Sequence, residues 1–167
     1  GLLDIATLCR VNIGQFYGIE IDEAATHIAR VALYITDHQL NLEAANKFGK
    51  TRATVPLVTT PHIHNANALR IDWNDVVKAE ECDYVFGNPP FYGKHYAKHV
   101  RHALKFLKPE GTLVAILPAT ARYDHHELND LIPVSRWPSD GPWQDLPVAS
   151  FAACGTNVPT TMLRLRV

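Results

Sequence analysis

The sequence predicts an α/β fold with a mostly parallel sheet, and the pattern of its segments is the reason. Short apolar segments alternate along the chain with longer amphipathic ones, which is the order of strand–helix–strand units. The segment Thr112–Leu117 is almost continuously apolar, which is typical of a strand buried on both faces of a parallel sheet. The last segment, Thr160–Val167, alternates polar and apolar residues. It therefore predicts an antiparallel terminal strand at the end of the sheet.

Composition and charge describe an ordinary globular domain. The chain has 167 residues, of which 20% are charged and 47% are hydrophobic, and its formal net charge is −1. This length predicts a single domain over residues 1–167, and this composition predicts a soluble protein. Neither a membrane-spanning apolar run nor a signal-peptide pattern is present, so we expect a cytoplasmic protein without membrane association. The three cysteines lack the spacing of a metal site or a disulfide framework and are interpreted as small buried residues.

The first half of the chain predicts short strands around one long helix. Phe16–Asp22 reads as a strand ending in acidic residues, and Asp22 suits the N-cap of a helix over about Glu23–Leu40. The stripe of that helix expected to face the sheet is Ala25, Ile28, Ala29, Ala32 and Ile35. Beyond the helix we expect a loop containing a short strand at Val55–Val58, then a second strand within Ile63–Leu69.

The second half repeats this alternation. Tyr84–Phe86 is β-branched and aromatic, as expected of a buried strand, and the prolines after it end the strand because they cannot donate to a ladder. His99–Leu107 predicts a helix, which Pro109–Gly111 ends. A helix over Ala119–Leu131 and a short strand within Trp143–Phe151 complete the predicted elements.

The corner after Tyr84–Phe86 is where the residue types indicate chemistry. It reads Gly87-Asn88-Pro89-Pro90-Phe91 and puts its asparagine at the carboxyl end of a strand, where ligands bind in open α/β sheets. The side-chain oxygen of Asn88 and the carbonyl of Pro89 are two acceptors for one amino group. Both favour the pyramidal geometry in which a heteroaromatic amine can attack, while Phe91 stacks on its ring. A proline-stiffened turn capped by Asn88 is the alternative.

This corner resembles the catalytic motif of amino methyltransferases that use S-adenosylmethionine (SAM), in the variant typical of DNA adenine methyltransferases. The resemblance implies a Rossmann-like methyltransferase fold and transfer of a methyl group from SAM to the exocyclic amine of a flipped adenine. It assigns the base contacts to Asn88, Pro89 and Phe91, with Pro90 in the same catalytic motif. Relatives that methylate glutamine in release factors usually carry Tyr at the position of Phe91. A protein-glutamine or RNA methyltransferase, and a non-catalytic or fragmentary domain, stay open as alternatives.

Tyr17–Asp22 resembles the second cofactor motif of the same family, in which the acidic residue that ends the strand takes the ribose hydroxyls. The resemblance assigns this contact to Glu20, and packing against the adenine of SAM to Ile21. A carboxylate at a strand end is a suitable acceptor for two hydroxyls, and an ordinary surface acid is the alternative. Asn67 and Ala68 lie where the family usually has a residue touching the adenine amine of the cofactor. Here a loop cap formed by Asn67 is the alternative.

Two stretches resemble different relatives. Gly14–Tyr96 resembles long type II restriction-modification enzymes that join a methyltransferase to a nuclease. His102–Gly111 and Gly155–Thr161, within residues 99–167, resemble small stand-alone methyltransferases of phage and plasmid type.

The family's glycine-rich first motif has no counterpart in this sequence, which has nine glycines and no Gly-x-Gly. In the family's usual strand order, the strand before that motif lies at the centre of the sheet. We therefore expect a sheet that lacks strand one and a domain that is incomplete at its N-terminus. Replacement of the motif by Leu2–Cys9, or loss of cofactor binding, are the alternatives.

A basic stretch follows the Asn-Pro-Pro-Phe corner. Between Tyr92 and Pro109 the sequence has no acidic residue and carries Lys94, Lys98, Arg101, Lys105 and Lys108. We interpret the first three of these as candidate contacts to DNA phosphates, and a solvated helix face is the alternative. His95, His99 and His102 share one helical face, but no carboxylate or thiolate is near them in sequence. No metal site is therefore predicted.

Overall fold

The computed structural model describes residues 11–49, 59–93, 95–123, 128, 130–131 and 141–167. The chain forms two compact units, Gly1–Val77 and Lys78–Val167, which are described separately. In the described ranges, no helix is both long and apolar enough to cross a membrane. The predicted segments Leu2–Cys9 and Val55–Val58 lie outside the described residues, and the single domain over residues 1–167 stays a prediction.

The first unit consists of a parallel strand pair and a long helix. Strand β1 (Tyr17–Glu20) pairs in parallel with β2 (His62–Asn65). Helix α1 (Glu23–Phe48) lies between the two strands in the sequence. Single turns of 3-10 helix lie before and after this pair, at Ile13–Gln15 and Trp73–Asp75. The strand predicted within Ile63–Leu69 is therefore shorter and earlier, because the residues after Asn65 form turns.

Helix α1 begins where the sequence predicts and ends later. The Asp22 carboxylate accepts a hydrogen bond of 2.7 Å from the backbone N–H three residues on, which confirms it as the N-cap. The helix continues to Phe48 and ends at Gly49, whose φ of +67° is a left-handed conformation that glycine adopts without a side-chain clash. Its last turns have no strong apolar stripe, and an i,i+4 ion pair of 2.6 Å between Glu43 and Lys47 contributes there instead.

The buried face of α1 differs from the predicted one. The buried residues of the helix are Thr26 and Asn41, whereas Ile28 and Ile35 of the predicted stripe are 68% and 52% exposed. On the inner side, the Arg30 guanidinium donates a hydrogen bond of 2.5 Å to a β2 carbonyl. The prediction assumed that the most apolar face meets the sheet. In this unit, hydrogen-bonding side chains meet it instead.

The second unit is a four-stranded sheet with one helix. Its elements are β3 (Cys82–Gly87), α2 (Tyr96–Leu104), β4 (Leu107–Pro118), β5 (Trp143–Asp145) and β6 (Thr160–Arg166). The strand order is β3-β4-β6-β5, with a parallel β3–β4 pair and antiparallel β4–β6 and β5–β6 pairs. The α/β class and the antiparallel terminal strand are thus confirmed. However, β6 lies inside this sheet rather than at its end, because β5 pairs along its outer side.

The core of this unit is built by α2, β4 and β6. The residues that are at most 2% exposed include Tyr96, Ala97, Val100, Leu113, Ala115, Leu117, Leu163 and Leu165. Burial alternates along β4, so that Val114 and Ile116 keep partial exposure. The expectation that Thr112–Leu117 is buried on both faces is therefore wrong. Side chains of Thr112–Leu117 that point to one face of the sheet are buried, and those that point to the other face are partly exposed.

Strand β3 is an edge strand of this sheet, since β4 is its only partner in the part of the chain that the structure describes. Tyr84 and Phe86 are 66% and 75% exposed and stack on one face with ring centroids 6.4 Å apart. The prediction of a buried strand is wrong here, because composition indicates a strand without indicating what covers it. The described strands form two sheets, and the absence of strand one stays a prediction.

The boundaries around α2 and β4 also differ from prediction. Helix α2 begins at Tyr96, and β4 begins at Leu107, so Pro109–Gly111 lies within the strand rather than after the helix. The pairing register with β3 shifts next to this point, and Glu110 has a φ of +69°. Such an irregularity admits the proline and the glycine into the strand. Of the helix predicted after β4, the described part is a 3-10 turn at Ala119–Arg122.

Candidate functional site

The Asn-Pro-Pro-Phe corner, Asn88–Phe91, begins directly after β3. Gly87 is the last paired residue of the strand and lies opposite Ala115 of β4. The two prolines that follow have no N–H with which to continue the ladder. Asn88 and Pro90 are exposed, and Pro89 and Phe91 are partly buried. The Asn88 side chain therefore stands at the carboxyl end of a strand and is accessible to a ligand, as the sequence predicts.

An aromatic pair follows this corner, which sequence reasoning missed. Gly93 has a φ of +59° and reverses the chain. The rings of Tyr92 and His95 then stack with centroids 6.3 Å apart and an angle of 18° between planes. Tyr92 is 83% exposed. The available signal was an aromatic residue followed by glycine immediately after the corner.

Two cations of the basic stretch have carboxylate partners among the described residues. Lys108 donates a hydrogen bond of 3.0 Å to the carboxylate of Asp83. Arg101 donates two hydrogen bonds of 2.6 Å to the carboxylate of Asp130. These bonds lower the pKa of Asp130. Lys98 is exposed on the surface of α2, whereas Lys94 lies outside the described residues. A phosphate that binds Arg101 must therefore replace Asp130. The side chain of Lys98 is exposed and accessible to a phosphate.

The histidines of α2 lie in this positive environment. Burial lowers the pKa of His99 most, and the nearby His95, His102 and Lys98 lower that pKa further. Within the described residues, no three His, Cys, Asp or Glu side chains are arranged to hold a metal ion. The folded chain therefore disfavours protonation of His99.

In the first unit, Glu20 is held at the end of β1 by hydrogen bonds. Its Oε1 accepts the backbone N–H of Asp22 at 2.9 Å. Its carbonyl accepts the backbone N–H of Ala66 at 2.9 Å and the Asn65 side-chain amide at 3.1 Å. The same amide of Asn65 also donates to the carbonyl of Ile21 at 3.0 Å. Asn65 thus stabilises the turn that carries Glu20 and Ile21, two of the four predicted cofactor residues.

Asn65 was also missed by sequence reasoning, although a signal existed. It ends β2 and pairs with Glu20 in the register of the two parallel strands. An asparagine at the end of a neighbouring strand is well placed to bind the backbone of the turn beside it. Ile21, on that turn, is 67% exposed, so its apolar side chain is available to a planar ligand.

Asn67 makes the loop cap that the sequence offered as the alternative. Its side-chain oxygen accepts the backbone N–H of Leu69 at 2.9 Å, which is an Asx turn. The carbonyl of the next residue, Ala68, accepts the indole N–H of Trp73 at 2.8 Å. These bonds fix the loop after β2, next to the turn that holds Glu20. Contacts of Asn67 and Ala68 with a cofactor stay predictions.

These residues fit the adenosine part of SAM better than its methionine part. The first unit offers a carboxylate acceptor at Glu20 and an exposed apolar side chain at Ile21, held beside the fixed loop of Asn67. Such a set suits a ribose and a flat ring. The described residues include no Gly-x-Gly turn for the methionine end. The acceptor residues Asn88–Phe91 belong to the other unit.

Comparison with known proteins identifies the family. Residues 3–107 match the family described as MmeI, DNA-methyltransferase domain. DNA methyltransferase A of Bacillus subtilis (strain 168) is 44% identical over 86 residues, which cover 50% of this chain and 10% of that protein. A structure of the type IIL restriction-modification enzyme MmeI in complex with DNA is 28% identical with a TM-score of 0.68. That match covers 99% of this chain and 26% of MmeI.

The chain thus spans a small part of each relative's length. The resemblance of residues 14–96 to restriction-modification methyltransferases is confirmed, and so is the methyltransferase fold. The resemblance of residues 99–167 to small phage and plasmid enzymes stays a prediction. Because the matched region covers more than half of the sequence, the chain belongs to the family of MmeI DNA-methyltransferase domains.

Proposed function

We propose that this domain transfers a methyl group from SAM to the exocyclic amine of an adenine extruded from DNA. The observation that carries the proposal is the exposed Asn88 at the carboxyl end of β3, followed by two prolines and Phe91. An asparagine oxygen and a proline carbonyl together accept both hydrogens of an amino group. Membership in a DNA-methyltransferase family supports the reaction class.

The role of the corner is to prepare the amine. SAM, when bound, supplies a methyl group on a positively charged sulfur. The Asn88 oxygen and the Pro89 carbonyl each accept one hydrogen of the adenine amine, so its lone pair is directed away from the ring. Phe91 stacks on the base and fixes its orientation. Catalysis then comes from positioning and from dipoles already in place, without a residue whose pKa must match the reaction.

The cofactor is assigned to the first unit. Glu20 would accept the ribose hydroxyls and Ile21 would pack on the adenine ring of SAM, with Asn67 and Ala68 at the ring's edge. The hydrogen bonds from Asn65 support this assignment, because they hold the Glu20–Ile21 backbone in one conformation before a ligand arrives. A site that is ordered in advance loses less conformational entropy on binding.

DNA is the proposed partner. The similarity to MmeI, whose structure was determined in complex with DNA, supports this choice. So does the exposed Lys98, with Lys94 and Arg101 as further candidates for phosphate contacts. Each such contact adds to the salt dependence of binding.

A second candidate is a methyltransferase-like domain that does not bind SAM. The observation that favours it is the sequence itself, in which no Gly-x-Gly is present to receive the methionine end of the cofactor. The two candidates predict opposite results in a calorimetric titration of the chain with SAM. Heat of binding supports the first, and no heat at millimolar SAM supports the second.

The deciding experiment follows transfer of a radioactive methyl group from SAM to adenine-containing DNA. We expect Asn88→Ala to lose about 100-fold or more in transfer rate, the range seen when one preorganised polar group is removed. Its affinity for SAM should stay unchanged. Asn157→Ala is the matched control, since it replaces another exposed asparagine of the second unit. Transfer that persists in Asn88→Ala would overturn the assignment, and so would an equal loss in the control.

A further inference from the structure

Tyr92 is the first residue after the Asn-Pro-Pro-Phe corner, and its side chain contributes little to the packing of the fold. It is 83% exposed, more than either Tyr84 or Phe86 on the edge strand. A tyrosine that contributes to stability buries most of its ring, since the gain scales with the apolar area removed from water. The exposed ring of Tyr92 is therefore available to a ligand.

The local backbone presents this ring in a defined orientation. The left-handed conformation of Gly93, with a φ of +59°, folds the chain back so that Tyr92 lies against His95. The two rings are nearly parallel, with 18° between their planes and 6.3 Å between centroids. Tyr92 therefore presents an exposed aromatic surface with the nearly parallel ring of His95 beside it.

The charge beside this pair suits a nucleic-acid backbone. Lys98 lies one helical turn after His95 on α2, and its side chain is exposed. Proteins that bind unpaired strands combine such positive groups with aromatic rings on which bases stack.

We propose that Tyr92, backed by His95, is a stacking platform for an unpaired nucleobase next to the adenine that Asn88 engages. This inference rests on the proposed function, because it requires that adenine to be extruded from the duplex. Extrusion costs stacking energy, and the neighbouring bases lose a partner when it occurs. The ring of Tyr92 replaces that partner. Because every base has an aromatic face, the platform tolerates any base at this position.

The platform acts on DNA binding rather than on the reacting nitrogen. Asn88–Phe91 holds the reacting amine, whereas Tyr92 follows that corner in the chain. Loss of its ring should therefore weaken DNA binding and raise the KM for DNA, while the rate at saturating DNA stays close to that of the unaltered chain. Tyr92 is thus a positioning residue in this proposal.

The first test uses the full chain and a fluorescein-labelled single-stranded oligonucleotide of about 16 nucleotides. We expect Tyr92→Ala to bind about tenfold more weakly in fluorescence anisotropy, a change of about 1.4 kcal/mol. Tyr92→Trp should restore the affinity, because it returns an aromatic face. Tyr123→Ala is the matched control, since Tyr123 is a 76% exposed tyrosine of the same unit. It should bind as the unaltered chain does.

The salt dependence separates stacking from charge. Tyr92→Ala should lower the affinity at every salt concentration without changing the slope of log K against log salt. Lys98→Ala should instead make that slope shallower by about 0.7, the value for one phosphate contact to a single strand. A changed slope in Tyr92→Ala would overturn the stacking proposal.

A second test removes the proposed partner of the ring. An abasic site beside the target adenine should weaken binding to the unaltered chain about tenfold and leave binding to Tyr92→Ala unchanged. Equal losses in both proteins would overturn the proposal, since the ring and the base would then act independently.

The failures of this inference and of the proposed function are distinguishable. If Tyr92→Ala binds and methylates DNA normally while Asn88→Ala does not methylate it, the platform is wrong and the proposed function stands. If the unaltered chain neither binds the oligonucleotide nor methylates DNA, both are overturned.

Discussion

The two compact units of this protein are stabilised in different ways. In the unit that holds the Asn-Pro-Pro-Phe corner, Leu113, Leu117 and Leu163 are at most 1% exposed. Among the described residues of the other unit, Ile13 and Ile63 are the most buried hydrophobic side chains, each 8% exposed. The first unit relies instead on hydrogen bonds, such as the one from Arg30 of α1 to a β2 carbonyl and those from Asn65 to the turn after β1.

The residues proposed to hold the amine and those proposed to hold the cofactor therefore lie in units that are stabilised differently. The residues assigned to the amine are attached to a sheet with a packed core. Those assigned to the cofactor are attached to a turn that hydrogen bonds hold, beside a helix that exposes Ile28, Val31 and Ile35. We therefore expect substitutions in the two units to have different consequences, and four predictions test this difference.

The largest effect is expected in the core of the second unit. Leu163→Ala should lower the free energy of unfolding by about 2–5 kcal/mol, because it leaves a cavity in a fully buried site. Ile35→Ala, on the exposed face of α1, should change it by less than about 0.5 kcal/mol. Urea denaturation followed by circular dichroism measures both. A large loss in Ile35→Ala would contradict the contrast between the units, since it would show that this face is covered in solution.

The next effect concerns the cofactor. Glu20→Ala should weaken SAM binding by about 1.5–3 kcal/mol, the range for hydrogen bonds to a charged group. Isothermal titration calorimetry measures the affinity. Asn88→Ala, in the other unit, is the control and should bind SAM with unchanged affinity. Equal losses in the two variants would show that the division of tasks between the units is wrong.

A smaller effect is expected at the helix starts. Asp22→Ala should destabilise the chain by about 1 kcal/mol, because it removes the hydrogen bond that caps α1. His95→Ala, at the corresponding position of α2, should change the free energy of unfolding little, since His95 makes no capping bond with its side chain. Denaturation midpoints compare the two. A larger loss of stability in His95→Ala than in Asp22→Ala would contradict the capping described for both helices.

The smallest effect is a dependence on pH. The pKa of His99 is lowered in the folded chain, mainly by burial, so the unfolded chain binds its proton first as pH falls. Stability should therefore decrease with falling pH between the ordinary histidine pKa of about 6.5 and the lowered value. His99→Gln should flatten this part of the profile. An unchanged profile, measured by thermal denaturation across the mildly acidic range, would assign the pH dependence to other groups.

Local features of the fold could be predicted from the sequence. Asp22 caps a helix because its carboxylate reaches an N–H three residues on, and the prolines after Gly87 end a strand because they lack an N–H. Both effects depend on neighbouring residues alone. The Asn-Pro-Pro-Phe corner and the acidic end of β1 could be predicted for the same reason, because each is a short run of neighbouring residues.

Features that depend on distant residues could not be predicted in this way. The exposure of Ile28 and Tyr84 depends on what lies against them, and an apolar pattern does not contain that information. Asn65 acts through the register of two strands separated by the whole of α1. Tyr92 gains its stacking partner through the backbone conformation of Gly93. Each of these features became visible only in the three-dimensional arrangement of the chain.

The edge of β3 also bears on how the protein is handled at high concentration. In the part of the chain that the structure describes, β3 is an edge strand. An aromatic, β-branched edge strand can pair with another extended chain, and repeated pairing leads to insoluble fibres. Pro89 and Pro90 cannot donate to such a ladder, so they prevent the pairing from extending past Gly87. The prolines of the corner therefore contribute to solubility as well as to the geometry of the site, and substitutions made there to probe activity should be checked for aggregation first.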